Sequence, residues 1–211
     1  MKDELERRSY TFEVRAEQTD EGAILTGRPV VYNSRTDLGW FDEVIEPGAL
    51  DGTDLTDVRF LVNHDVSKIP LARSRRNNGN STMQLSVDLE GLSLDWVKLD
   101  VENNAEARAL YSAVQRNDIT GMSFMFSVDS ETWDDIESEH PIRHINKIGS
   151  IVEISAVTFP AYSAANISAR SKEALENARL ELENARRSAN DAEALKELEL
   201  AKAKFDFTSK F

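Results

Sequence analysis

Met83-Gln84-Leu85-Ser86-Val87-Asp88-Leu89-Glu90-Gly91-Leu92-Ser93-Leu94-Asp95-Trp96-Val97 is the stretch whose reading decides the fold class. Apolar side chains fall on every second residue on each side of Asp88–Gly91, the period of a strand with one buried face. The Asp88-Leu89-Glu90-Gly91 step signals a hairpin between the two runs, with Gly91 free to take a positive φ. The same short alternating runs recur around Thr11–Arg15, Val58–Val62, Gly121–Val128 and Ile148–Val157, separated by Gly, Pro, Asn and Asp. One helix interrupts them between Asn103 and Asn117, where Ala107, Leu110, Tyr111 and Val114 recur at three- and four-residue spacing and Asn117 supplies a stop. The sequence therefore predicts an α+β fold dominated by antiparallel strands.

All nine Gly and all five Pro precede Ala161. From Ala169 to Lys204 the chain is rich in Ala, Leu, Glu, Lys and Arg, which favour one long helix. The expected organisation is a first domain over 1–168 and a helical tail over 169–211. Leu175, Ala178, Leu182, Ala185, Ala189 and Ala192 repeat at alternating spacings of three and four, a short coiled-coil seam, before Leu195 and Leu198 shift the stripe. Such a stripe either pairs with another helix or packs back on its own domain. The aromatic end, Phe205 to Phe211, frays unless docked.

Composition removes several classes of function. The 25 Lys+Arg against 38 Asp+Glu leave a net charge of -13, which argues against a nucleic-acid surface built on a basic field. There is no cysteine, hence no disulfide, thiolate nucleophile, Cys-bound zinc or iron–sulfur cluster. The first twenty residues show no apolar run of secretory type and no stretch approaches bilayer length, so a soluble cytoplasmic protein with no membrane partner is expected. No phosphate loop or dinucleotide fingerprint is present, and no cofactor is expected.

Any imidazole base must be His64, His140 or His144. His64 ends the apolar run Val58–Val62, where a strand delivers a side chain to the rim of a site; the plainer reading is a turn histidine beside Asp65. Ser123 is a lone hydroxyl within the apolar Gly121-Met122-Ser123-Phe124-Met125-Phe126, and a buried hydroxyl needs a partner, either backbone or a histidine that would activate it. Gly121 and its neighbours offer main-chain N–H groups for an oxyanion hole. Glu153 interrupts the apolar run Ile148–Val157 and is costly there unless paired, with a histidine or with a cation such as Arg73. His140 and His144 have a spacing that on a helix would suit a metal, but Pro141 argues against a helix and no metal is expected.

These residues resemble a known family. Phe60-Leu61-Val62-Asn63-His64-Asp65, Ile69-Pro70-Leu71-Ala72-Arg73-Ser74, Gly121–Phe126 and Val152–Tyr162, with the upstream blocks Leu25–Asn33 and Phe41–Leu50, look like the prohead (capsid maturation) serine proteases of tailed bacteriophages, of HK-ninety-seven type, across roughly Arg8 to Asn166. The resemblance implies a fold like that of the herpesvirus assembly proteases (assemblins), a mostly antiparallel β-barrel wrapped by helices. By position it implies Ser123 as nucleophile, His64 as general base and Glu153 as the orienting acid, with His144 as the alternative third member. It further implies a homo-oligomer that cleaves itself, the major capsid protein and its scaffold segment inside the immature prohead in the host cytoplasm. A catalytically inactive scaffolding protein acting through the helical tail is the alternative. Met125 stands where family members often carry glycine, and Glu131–His144 reads as a variable loop.

Overall fold

A computed structural model describes residues 5–10, 14–20, 22–158 and 169–208. The elements run β1 (Leu5–Tyr10), β2 (Arg15–Thr19), β3 (Gly22–Val31), β4 (Thr36–Asp37), β5 (Asp42–Ile45), β6 (Arg59–Val62), β7 (Ala72–Arg73), β8 (Met83–Asp88), β9 (Gly91–Leu99), α1 (Ala105–Gln115), β10 (Gly121–Asp134), β11 (Ile142–Val157) and α2 (Ala169–Thr208). The expected run Thr11–Arg15 lies partly outside the described residues.

The hairpin read from 83–97 is β8–β9. Asp88 Oδ1 accepts the main-chain N–H groups of Glu90 and Gly91, closing the turn. Gly91 has φ 140°, and a Cβ there would stand 2.2 Å from the Val30 carbonyl oxygen, so no side chain fits. This hairpin continues through β3 to β2 as a four-stranded antiparallel sheet.

The second sheet has seven strands, in the order β1-β10-β11-β5-β4 with β6 and β7 attached to β11. β11 is its axis. One edge pairs antiparallel with β10; the other receives β5 and β6 in parallel, at Ile142–Ile145 and Glu153–Ala156 respectively. Several register shifts between Met125 and Glu131 bend the β10–β11 hairpin, increasing its twist. Inward side chains from both sheets, including Leu25, Leu92, Leu94, Phe60, Phe124, Phe126 and Ile154, form one core closed by Ala107, Leu110 and Val114 of α1. Asn104 caps α1 by accepting from the N–H groups of Glu106 and Ala107.

Two expectations are corrected. The α+β class stands, but no closed barrel forms among the described residues: there are two open sheets and two α-helices. The short strands β4 and β7 end the pairing beyond β5 and β6, and two of the neighbours of β11 are parallel, which an antiparallel barrel would not contain. Glu131–His144 is also not simply a loop, because β10 reaches Asp134 and β11 begins at Ile142. Trp133 holds this extension down by stacking on Trp40, with ring centroids 5.9 Å apart, and packing on Phe41.

The stripe on α2 divides. Ala178 and Leu182 are buried against the body, and Arg186 Nε donates to the Ile136 carbonyl at 2.5 Å. Ala189, Ala192, Leu195 and Leu198 are exposed. No helix among the described residues is long and apolar enough to cross a membrane.

Candidate active site

Ser123 sits on β10 between two partners, opposite Ser9 of β1 and Ser155 of β11. Side chains at paired positions share a face, and alternate residues of a strand share it too. Ser123, Ser155 and Glu153 therefore line one face of the sheet, while Phe124 and Ile154 point into the core. This pleat brings a hydroxyl and a carboxylate from adjacent strands to one place.

His64 reaches them from the end of β6. Asn63 and His64 are both left-handed, with φ 52° and 58°, a conformation that costs a non-glycine residue about 1 kcal/mol or more. The turn is clamped. Asn63 N donates to the Ala156 carbonyl, Asn63 Nδ2 donates to Thr158 Oγ1 at 3.1 Å, and Thr158 N donates back to Asn63 Oδ1 at 2.9 Å. His64 N donates to Ser155 Oγ at 3.0 Å. The imidazole is thereby aimed along the sheet face, with Nε2 2.5 Å from Ser123 Oγ and Nδ1 2.6 Å from Glu153 Oε2.

The three groups form a line, hydroxyl to imidazole to carboxylate. Ser123 is fully buried and Glu153 is 3 % exposed, so solvent scarcely screens the contacts. Ser155 Oγ accepts from His64 N and donates to Glu153 Oε1, which leaves Oε2 for the imidazole. With Nδ1–H donated to the carboxylate, Nε2 is a bare acceptor facing the serine. The hydroxyl has a second acceptor in the main-chain oxygen of Arg8, 2.7 Å away on β1. Its single proton is shared between Nε2 and that carbonyl.

β1 is held there by buried charge. Arg8 pairs with Glu43 and Glu6, and Arg143 with Glu6, Glu43 and Glu131. Burial opposes ionisation of Glu6, but the attraction of Arg8 and the bonds and charge of Arg143 outweigh it and hold its carboxyl down to about 2. Burial likewise works against the Arg8 charge, yet Glu43 and Glu6 keep its pKa above the ordinary arginine value.

The other candidates lie elsewhere. His144 pairs with Thr132 near the far end of β11, where Nδ1 bonds Glu46 at 2.7 Å. His140 Nε2 contacts Asp42 at 3.0 Å, so the two imidazoles of the His140–His144 pair serve different carboxylates. Asp37, Asp42 and His140 converge, but Arg35 already pairs with Asp42. Arg73 bonds Asp57 rather than Glu153, and Asp65 bonds Ser67 rather than His64. The main chain at Met122–Ser127 is paired on both edges, by β1 and β11, which makes the N–H groups around Ser123 ladder donors rather than a ready oxyanion hole. Met125 fits at a bulge beside Phe126.

Sequence reasoning missed Ser155, the Asn63–Thr158 clamp and the Arg8 carbonyl. Ser155 had a signal: it is a second polar residue two positions from Glu153 in an apolar strand, hence on the same face. The other two depend on long-range pairing and had none.

A serine, a histidine and a carboxylate in line at hydrogen-bond distance make up the constellation of serine hydrolases. The family model for caudovirus prohead serine proteases matches residues 10–181, and the chain belongs to that family. It is a serine protease hydrolase of phage capsid maturation, a role carried out with capsid proteins inside the procapsid. No curated protein and no solved structure matches the chain.

Proposed function

We propose that Ser123, His64 and Glu153 are the nucleophile, general base and orienting acid of an endopeptidase that cleaves the major capsid protein, its scaffold segment and this chain itself. The observation that carries the reading is the unbroken line from Ser123 Oγ through His64 to Glu153, with contacts of 2.5 and 2.6 Å. His64 Nε2 takes the Ser123 proton as Oγ attacks the peptide carbonyl carbon. The imidazolium, steadied by Glu153, passes that proton to the leaving amine, and an acyl ester remains on Ser123. His64 then deprotonates a water that attacks the ester, and the proton returns to Ser123 as the acid product leaves. Glu153 accepts the Nδ1 proton throughout, fixing the tautomer.

The chain is further read as HK-ninety-seven type with kinship to the assemblins, built as a protease domain over 1–168 and a helical segment over 169–211. The exposed part of α2 beyond Arg187 is where self-association or scaffold contact would occur, through Leu195 and Leu198. The test is intact-mass and gel analysis of wild type beside Ser123→Ala, each alone and with an immature-shell coat protein. Trimming that disappears in Ser123→Ala supports the reading; no trimming by a folded wild type favours an inactive scaffolding protein.

A further inference from the structure

An apolar groove of about 430 Å³ opens between α1 and the loop that follows β6. Its walls are Leu61, Leu71, Ala109, Leu110, Ala113 and Ile119, and its rim carries the exposed Lys68–Glu106 ion pair at 2.7 Å. Asn63 and Asp65 also line it, each already bonded, Asn63 to Thr158 and Asp65 to Ser67. Val66 and Ile69, in the same loop, are 59 % and 84 % exposed, so two aliphatic side chains stand in water beside it.

The groove belongs with the nucleophile on three counts. Leu61 pairs with Ser155, which pairs with Ser123, so Leu61 faces the same side of the sheet two strands away; strand spacing makes that about 10 Å. Asn63 and Asp65, both lining the groove, flank His64 in the chain. Ile119 precedes Ser123 by four residues, at the entry to β10. An extended peptide covers about 10 Å in three residues, so a chain with its scissile bond at Ser123 can place a nearby side chain in the groove.

We infer that this groove is the specificity pocket of the protease, receiving one large apolar side chain, Leu, Ile, Met or Phe, from a residue close to the cleaved bond. The inference rests on the protease reading above. The volume exceeds what one such side chain needs, and the aliphatic walls reward burial of an apolar side chain over a charged or amide one. Lys68 and Glu106 satisfy each other at the mouth, and Asp65 is bonded by Ser67, which leaves the aliphatic walls to the ligand. Ala109 is the point of control: it is exposed on α1 and its Cβ faces the space, so a larger residue fills the groove without touching the catalytic line.

The cleavage site in an immature-shell coat protein is first mapped by mass spectrometry with wild type. Peptides spanning it then have each of the four residues on either side of the bond replaced in turn by Ala. At one position, loss of a large apolar side chain lowers kcat/KM by about ten- to a hundredfold. In Ala109→Trp that difference collapses to within about threefold, while the melting temperature is retained. An apolar preference that survives Ala109→Trp unchanged, or cleavage with no apolar preference at all, overturns the pocket and leaves the protease standing. Absence of any Ser123-dependent cleavage overturns both.

Discussion

Replacing Glu153 with Gln removes a charge and changes almost nothing else. The carboxylate is nearly buried, with one oxygen on His64 Nδ1 and the other receiving the Ser155 hydroxyl proton. When Ser123 gives up its proton, the imidazolium centre lies about 4 Å from the carboxylate, and at an effective dielectric of ~20 that attraction is about 4 kcal/mol. Its loss slows acylation by about 10³. The orientation of the new amide adds to this. Ser155 already accepts from His64 N, so its own proton goes to an acceptor, and the amide oxygen is the one available. The NH₂ group then faces Nδ1, forcing that nitrogen to accept and Nε2 to carry the proton toward Ser123. A base so protonated cannot take the serine proton, and the expected loss reaches about 10⁴. The assay is the acylation rate of a fluorophosphonate probe, with kcat/KM on a coat-protein peptide and a thermal melt to show the fold is kept. A loss under tenfold in a variant that melts like wild type refutes the reasoning. Should His144→Ala, expected within about twofold of wild type, show the large loss instead, the third member is His144.

Ser155→Ala removes the hydroxyl that steers Glu153 and anchors His64 N; kcat falls by about ten- to a hundredfold with KM unchanged, and a change in KM alone contradicts the positioning role. Arg143→Met leaves Glu6 and Glu43 to Arg8 alone and Glu131 without its cation, and destabilises by about 3–5 kcal/mol, read as a drop of roughly 10 °C in Tm by calorimetry. The Glu6 carboxyl is more acidic folded than unfolded, so its contribution is present above pH 4.5 and is lost as pH falls toward about 2. That contribution is roughly 3 kcal/mol, and urea midpoints between pH 7 and pH 3 should fall more steeply for wild type than for Glu6→Gln. Gly91→Ala meets the Val30 carbonyl and a strained φ, costing about 1–3 kcal/mol in urea unfolding; an unchanged midpoint refutes the close approach.

The amino-acid sequence alone determined the local elements. Alternation and the Asp88–Gly91 turn are readable because they depend on neighbours in the chain, and they place β8 and β9 where expected; the spacing of Ala107, Leu110 and Val114 does the same for α1. The sequence also singled out Ser123 and Glu153, because a polar residue in an apolar strand demands a partner wherever it lies, and His64 as one of only three histidines, placed at the end of an apolar run. What it could not supply was which partner. His64 meets Glu153 across 89 residues and Ser123 across 59, and only the register of β6 on β11 and of β11 on β10 brings them into line. The open sheets in place of a barrel have the same origin: whether β5 and β6 join β11 in parallel is a choice between distant edges, invisible in either strand's own pattern. The stripe on α2 is equally ambiguous in sequence, since Ala178 and Leu182 would suit a partner helix as well as their own domain. Burial against the body decided it for those two residues alone, because the face nearest in space covers that apolar surface without the entropy cost of association.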